Sequence, residues 1–198
     1  MFLKALATGK TRRERRAIRR RHRPVAPPHW RKQATVMLYA KKYGCQRFIE
    51  TGTQVGEMVN AVQGAFKQVT SIEIDPVGYK ISKERFSGIK HIQLLHGDSA
   101  ELLPEVLGKL DEAAVFWLDA HGYQPPMGME SNPILIEVDR VLRHPVSGHV
   151  VLVDDARCFG WERYYPSLDE LWELAREHGA DFEVADDCIR ILSPKMAA

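Results

Sequence analysis

The sequence contains no long hydrophobic run and little cysteine. None of its apolar stretches approaches the roughly 18–20 residues that a membrane-spanning helix requires, and no secretory hydrophobic region follows the basic N-terminus. Its three cysteines, Cys45, Cys158 and Cys188, are odd in number and widely spaced, which is typical of reduced thiols rather than of a disulfide framework. These absences argue against a membrane-spanning or disulfide-stabilised protein and predict a cytoplasmic one.

Acidic residues are almost missing from the N-terminal segment. Residues 1–33 hold twelve lysines and arginines but a single acid, Glu14, which gives a net charge of +11. The rest of the chain carries a net charge of −9, so the two parts are electrostatically distinct. Residues 1–28, called the basic arm below, end in a stiff linker, Pro24–Pro28, and have too little apolar content to bury a face. We expect a flexible arm followed by one catalytic domain over 29–198.

The basic arm would attract polyanions such as RNA, DNA or an anionic membrane surface. No aromatic residue interleaves the arginines between Arg12 and Arg23, so stacking on nucleic-acid bases is not indicated. Three other interpretations stay open: a solvated tail, an arm that folds against the acidic body of its own or a neighbouring subunit, and an organellar transit peptide. We favour these over nucleic-acid binding.

The chain has 198 residues, 44% of them hydrophobic, which is enough for one domain with a well-buried core. From Gln46 onward, short apolar runs alternate with helical patterns, as in a parallel sheet covered on both faces. Two further runs, Phe182–Val184 and Cys188–Leu192, are too close for a crossover helix and predict an antiparallel hairpin. An α/β protein with a doubly wound, mostly parallel sheet and one reversed strand is therefore predicted. The other predicted strands are Arg47–Glu50, Val69–Ile74, Ile89–Leu95, Ala113–Asp119 and His149–Asp154.

Helix boundaries are indicated by capping residues. A helix is predicted over His29–Tyr43, because apolar residues recur there at near-helical spacing and Gly44 follows as a stop. Pro104 indicates a kink or a later start for the helix that opens near Asp98. Cap patterns predict further helices that open at Asp98 with Glu101, at Asn132 with Pro133, and at Ser167 with Glu170.

The most informative segment runs from Phe48 to Gly56, where an apolar strand leads through a glycine turn into a helical pattern. Gly52 allows the backbone to turn tightly and to approach a ligand without an intervening Cβ atom. Gly56 allows the next helix to pack close to the sheet. Free N–H groups at that helix N-terminus suit a carboxylate or a phosphate, so the segment indicates a nucleotide-like cofactor.

Acidic residues occupy five successive predicted strand ends. A single acid at such a position is usually a helix cap or a turn former, but a series is harder to explain that way. Glu73 lies 21 residues after Gly52, where a carboxylate can accept both hydroxyls of a ribose. Asp98 and Ser99, after the third strand, could meet an adenine amino group. The acids are Glu50, Glu73 with Asp75, Asp98, Asp119, and Asp154 with Asp155.

Three segments resemble the first three motifs of class I S-adenosylmethionine-dependent methyltransferases. They are Glu50-Thr51-Gly52-Thr53-Gln54-Val55-Gly56, Ser71-Ile72-Glu73-Ile74-Asp75-Pro76 and His96-Gly97-Asp98-Ser99. The resemblance covers about residues 46–192 and includes the terminal hairpin, which matches the reversed seventh strand of that fold. It implies a Rossmann-like, seven-stranded sheet that binds S-adenosylmethionine.

The same resemblance assigns parts of the cofactor to residues of this chain. Glu50 and Gly52 would lie beside the methionine moiety, and Glu73 would hold the ribose. The adenine would meet Asp98 and Ser99. The remaining residues of the predicted cofactor site are Thr53, Gly56 and Asp119.

Three carboxylates, Asp119, Asp154 and Asp155, are predicted to meet at the ends of the fourth and fifth strands. They would repel one another unless a metal ion or Lys/Arg partners neutralise them, and Mg²⁺ with oxygen ligands suits that purpose. The trio resembles the metal site of catechol-type and macrocin-type O-methyltransferases, with Asp155 as the second acid rather than asparagine. The alternative is that Asp154 caps the turn while Asp155 pairs with Arg157.

His121 and Asp119 are the predicted catalytic residues. Catechol-type enzymes have a lysine base shortly after the fourth-strand aspartate, whereas this sequence has Ala120-His121-Gly122-Tyr123, so His121 is the available base. The alternative is that His121 is an ordinary loop residue or a hydrogen-bond partner.

These motifs predict an S-adenosylmethionine-dependent methyltransferase that methylates a small hydroxylated acceptor with the help of Mg²⁺. Two other functions stay open: an RNA methyltransferase recruited by the basic arm, and a non-catalytic cofactor-binding or partner protein on the same fold. A nicotinamide oxidoreductase is disfavoured because the glycine spacing is G-x-x-x-G rather than G-x-G-x-x-G.

Overall fold

The computed structural model describes residues 25–120, 132–162 and 164–194. The predictions for residues 1–24 of the basic arm and for His121 lie outside the described residues. None of the described helices is long and apolar enough to cross a membrane. The α-helices are α1 (His29–Tyr43), α2 (Glu57–Val62), α3 (Pro76–Arg85), α4 (Ser99–Leu107), α5 (Ile134–Leu142) and α6 (Leu168–Glu177). The strands are β1 (Arg47–Thr51), β2 (Gln68–Glu73), β3 (Ile92–His96), β4 (Ala114–Leu118), β5 (Val150–Val153), β6 (Asp181–Ala185) and β7 (Cys188–Leu192).

The strands form one seven-stranded sheet in the order β3-β2-β1-β4-β5-β7-β6. The first five strands pair in parallel, whereas β7 pairs antiparallel with both β5 and β6. The predicted α/β fold, with its doubly wound sheet, terminal hairpin and reversed strand, is confirmed. The strand order reverses direction between β1 and β4, and open α/β sheets bind ligands at such a switch point, beyond the carboxyl ends of the strands.

The apolar side chains of the strands alternate between two buried faces. Ile49 and Phe116 pack on one face with residues of α4, α5 and α6. Phe48 and Trp117 pack on the other face with residues of α1 and α2. All four side chains are at most 2% exposed. The sheet is therefore covered on both sides, as the continuous apolar runs predict.

The predicted helix signals are largely confirmed. Helix α1 has the predicted bounds, and Gly44 ends it in the left-handed conformation with φ at 70°. The capping box of Ser167 with Glu170 is present at the start of α6. The helix predicted to open at Asn132 with Pro133 is α5, but its N-cap is Pro133; the Asn132 side chain still accepts a hydrogen bond from Ile134 N at 3.0 Å.

Most other strand ends differ from the prediction by one residue, and two predictions need a larger correction. Strand β3 begins at Ile92 instead of Ile89, because the intervening residues form a turn in which Ile92 N donates to Ile89 O at 3.1 Å. Pro104 lies inside α4 and does not mark its start, because Asp98 caps the helix by accepting from Ala100 N at 2.8 Å.

Candidate active site

Backbone hydrogen bonds join the loops at the carboxyl ends of β1, β2, β3 and β4. Gly52 N donates to Ile72 O, Asp119 N donates to Thr51 O, and Gly97 N donates to Glu73 O, each at 2.9 Å. These bonds hold the strand ends side by side as one rim of the sheet, called the site rim below. The residues of the predicted cofactor site that lie along it are Glu50, Gly52, Thr53, Gly56, Glu73, Asp98, Ser99 and Asp119.

Gly52 is required by the protein itself at this rim. Its φ is +88°, and a Cβ atom there would lie 2.6 Å from the backbone oxygen of Asp119. A backbone atom cannot rotate away as a side chain can, so the close approach excludes every other residue type. The sequence predicts a glycine that makes room for a ligand, whereas the structure shows one that makes room for the chain after β4.

A contact within the protein also requires glycine at position 56. Its φ is +79°, and a Cβ atom would lie 2.4 Å from the ring of Phe86, which follows α3. The prediction that Gly56 lets α2 pack close to the sheet is therefore corrected: the close contact is with Phe86.

Glu73 is fixed at the end of β2 by two backbone donors. One carboxylate oxygen accepts from Gln54 N at 2.5 Å, and the other accepts from Asp75 N at 2.8 Å. Gln54 has a positive φ of 51°, so this bond also holds the glycine turn in a conformation that glutamine rarely adopts. A carboxylate oxygen can accept a second hydrogen bond, so Glu73 is still able to receive ligand hydroxyls.

Glu50 lies in a short network of hydroxyl groups. It is 2% exposed and accepts from the hydroxyl of Ser71 at 2.5 Å. The same Ser71 oxygen lies 2.5 Å from the hydroxyl of Thr53. Burial raises the pKa of Glu50 to about 8, although the bond from Ser71 opposes this. Glu50 therefore carries a proton at neutral pH and would release it on meeting a positively charged ligand.

Glu137, on α5, is a site residue that sequence reasoning missed. It is fully buried, and its carboxylate receives hydrogen bonds from Ser99 and, at 3.5 Å, from Thr51. Burial raises its pKa to about 7. It thus connects the end of β1 with the start of α4. Its one sequence signal is an acid among the apolar residues that α5 buries, which include Ile134 and Val138.

The acidic cluster at the ends of β4 and β5 has four members. Among the described residues, Asp154, Asp155 and Asp187 each offer an oxygen within 4.8 Å of the others. Asp119 lies close enough for the charges of Asp154 and Asp155 to affect its pKa. Burial raises the pKa of Asp119 well above its usual value, and the charge of Asp154 adds to the effect. Sequence reasoning missed Asp187, because it lies in the hairpin turn, thirty-two residues beyond Asp155.

Two cations pair with this cluster. Lys32 forms a salt bridge with Asp154 and lies 3.5 Å from Asp155. Arg157 lies 2.7 Å from Asp155 and forms a second salt bridge with Asp187. Burial alone would lower the pKa of Lys32, but the carboxylates raise it above its usual value. The pairing of Asp155 with Arg157, which the alternative interpretation of the sequence predicts, is thus present, and Asp154 also accepts from Asp155 N at 2.7 Å.

No protein-family model matches the sequence, and no curated protein matches it. Solved structures do match the fold. An O-methyltransferase from Bacillus cereus in complex with SAH has a TM-score of 0.59 at 13% identity, over 98% of this chain and 96% of the other. The O-methyltransferase TomG from Streptomyces achromogenes in complex with SAM has a TM-score of 0.58 at 16% identity, over 97% and 93%. An amino pentose methyltransferase from Micromonospora echinaspora with bound SAM has a TM-score of 0.61 at 11% identity, over 94% and 98%.

This chain has the S-adenosylmethionine-dependent methyltransferase fold. Sequence identities this low establish the fold alone, so the chemistry has to be argued from the site. The donor set at the rim fits the cofactor of that fold. It includes the carboxylate oxygens of Glu73 and Asp98 and the buried carboxyl of Glu50, which are acceptors of the kind that hydroxyl, amino and cationic groups need.

The predicted magnesium site fits less well within this methyltransferase fold. Carboxylate oxygens are the ligands that Mg²⁺ prefers, and Asp119, Asp154 and Asp155 supply them. However, the ammonium of Lys32 bridges Asp154 and Asp155, and Arg157 pairs with the same Asp155 oxygen that Lys32 approaches. A divalent ion at Asp154 Oδ2 or Asp155 Oδ1 would have to compete with these ion pairs.

Proposed function

We propose that this protein is an S-adenosylmethionine-dependent methyltransferase that methylates a hydroxyl group of a small molecule. The proposal rests chiefly on three carboxylates, Glu50, Glu73 and Asp98, that lie at the carboxyl ends of the neighbouring strands β1, β2 and β3 in a fold that methyltransferases share. Two of the solved structures with this fold are O-methyltransferases, which supports oxygen as the acceptor atom.

Each site residue has a role in this proposal. Glu73, held by two backbone N–H groups, would accept hydrogen bonds from the ribose hydroxyls. Asp98 and Ser99, at the start of α4, would meet the adenine. Glu50 and the backbone around Gly52 would hold the amino-acid end. S-adenosylmethionine bound there would supply an activated methyl group, and the chain's main contribution would be to align the acceptor with it.

An acceptor hydroxyl that gains a methyl group must lose its proton. Among the described residues, Asp119 is suited to take it when ionised, because its raised pKa makes its carboxylate a stronger base than that of an ordinary aspartate. His121 stays a predicted base outside the described residues. Assistance by magnesium at Asp119, Asp154 and Asp155 also stays a prediction. Because Lys32 and Arg157 already pair with two of these carboxylates, we assign magnesium no step in the proposed reaction.

Isothermal titration calorimetry of the full chain with S-adenosylmethionine and with S-adenosylhomocysteine tests the proposal. Saturable binding of both compounds at one site per chain is expected, with and without Mg²⁺. Absence of binding in every condition would contradict the proposal and favour a non-catalytic protein on this fold. If S-adenosylmethionine binds only in the presence of Mg²⁺, the metal ion does have a role at this site.

The affinity for S-adenosylmethionine is expected to rise as the pH increases from about 6 to 8. Glu50 holds a proton below its pKa of about 8, and a cationic ligand favours the ionised carboxylate. Binding should therefore release a proton, so the affinity should rise by at most about tenfold per pH unit. Calorimetry at three pH values measures this slope.

Glu50→Gln is the control for this prediction. The amide cannot titrate, so the slope should flatten while the hydrogen bond from Ser71 can still form. An affinity of the unmodified protein that does not change over this pH range would show that Glu50 is not linked to binding.

A further inference from the structure

Lys32 belongs to the site rim although it lies outside every predicted motif. It is on α1, 122 residues before Asp154, and its side chain is 16% exposed. Its ammonium group contacts both Asp154 and Asp155 at the end of β5. A lysine on a surface helix normally extends into water, so this inward position needs a structural cause.

The position of Lys32 is fixed by the buried face of α1. Lys32, Val36 and Ala40 are spaced four residues apart and so lie on one side of the helix. Val36 is 0% exposed and Ala40 is 7% exposed, and both pack with Trp117 of β4 and Leu152 of β5. Packing of α1 against the core therefore places the Lys32 ammonium group above the carboxyl ends of β4 and β5.

Lys32 and Arg157 supply the positive charge that a divalent ion would otherwise provide to the acidic cluster. Lys32 bridges Asp154 and Asp155, and Arg157 bridges Asp155 and Asp187. Asp154 is only 1% exposed, so water cannot compensate its charge, and the ammonium of Lys32 supplies a positive charge beside it. A carboxylate at that depth without a cation would be strongly unfavourable.

We propose that Lys32 is the resident cation of this rim and takes the place of a divalent metal ion, so that the proposed methyl transfer needs none. The inference rests on the proposed function for its chemical meaning. Its structural core, that the ammonium keeps divalent ions away from Asp154 and Asp155, can be tested without any methyl acceptor.

Titration of the full chain with Mn²⁺, followed by the electron paramagnetic resonance signal of the free ion, tests the inference. The unmodified protein should bind Mn²⁺ no tighter than about 1 mM. Lys32→Met removes the ammonium but keeps a long apolar side chain, and should bind Mn²⁺ at least about tenfold tighter. Lys32→Arg keeps the charge and should exclude the ion.

Lys41→Met is the matched control, because Lys41 is an exposed lysine on the same helix; it should leave Mn²⁺ affinity unchanged. If Lys32→Met does not fold, Lys32→Met with Asp154→Asn, which removes both charges of the pair, should restore the melting temperature. Failure of that double variant to recover, with the single variant unfolded, would contradict the inference.

Two outcomes of the titration would also overturn the inference: micromolar Mn²⁺ binding by the unmodified protein, or an unchanged affinity in folded Lys32→Met. Neither concerns the cofactor. Absence of S-adenosylhomocysteine binding by the unmodified protein in calorimetry would instead contradict the proposed function. It would not change the Mn²⁺ result, so the two failures can be told apart.

Discussion

Glu73→Ala is expected to weaken binding of S-adenosylmethionine about 100-fold or more. The substitution removes the carboxylate that would accept the ribose hydroxyls. It also leaves the backbone N–H groups of Gln54 and Asp75 without their acceptor, so the glycine turn loses its attachment to β2. Calorimetry with the cofactor measures the loss, and a thermal melt of the same sample separates lost binding from lost folding.

Two variants make this prediction sharper. Glu84→Ala removes an exposed acid from α3 and should bind the cofactor as the unmodified protein does. Glu73→Gln keeps an acceptor oxygen and should fall between the two. Undiminished cofactor binding by folded Glu73→Ala would show that Glu73 supports the turn but does not hold the ligand.

Gly52→Ala is expected to lower the free energy of unfolding by about 3 kcal/mol or more. The added methyl group would lie 2.6 Å from the backbone oxygen of Asp119 and would occupy a residue with φ at +88°. Both effects are unfavourable, and relief of the contact would require the strand ends of β1 and β4 to separate. Urea unfolding followed by circular dichroism measures the difference.

Two other glycines separate the contributions to this effect. Gly44 has a positive φ of +70°, but no atom lies within 4 Å of the place where an added methyl group would sit, so Gly44→Ala should cost about 1 kcal/mol from conformation alone. Gly64 has open space and no positive φ, so Gly64→Ala should be close to neutral. A loss for Gly52→Ala no larger than that of Gly44→Ala would contradict the steric argument.

The parts of the fold that depend on local patterns could be predicted from the sequence. Helix α1 follows from its apolar spacing and the stop at Gly44, and the hairpin follows from the short separation between its strands. The start of β3 could not be predicted, because an apolar residue such as Ile89 can occur in a turn as well as in a strand. Its position depends on the hydrogen bond from Ile92 N to Ile89 O.

The site could be predicted only where a residue lies at or within two residues of the end of its own strand, as Glu73 and Asp155 do. Lys32 could not be predicted, because its contact with Asp154 spans 122 residues and depends on how α1 packs over β4 and β5. Asp187 and Glu137 come from the terminal hairpin and from α5, and neither sequence context distinguishes them from a turn residue or a helix acid. Tertiary packing, which local spacing does not encode, brings all three to the rim.

The position of β7 has a consequence for the order in which this protein can assemble. β7 is made after every other strand of the sheet, yet it lies between β5 and β6 rather than at an edge. Until it leaves the ribosome, β5 has an unpaired edge, and Arg157 lacks the Asp187 carboxylate that it binds. Such late, long-range pairing slows folding and exposes apolar strands meanwhile. The acidic cluster is therefore completed only after the first six strands of the sheet have been synthesised.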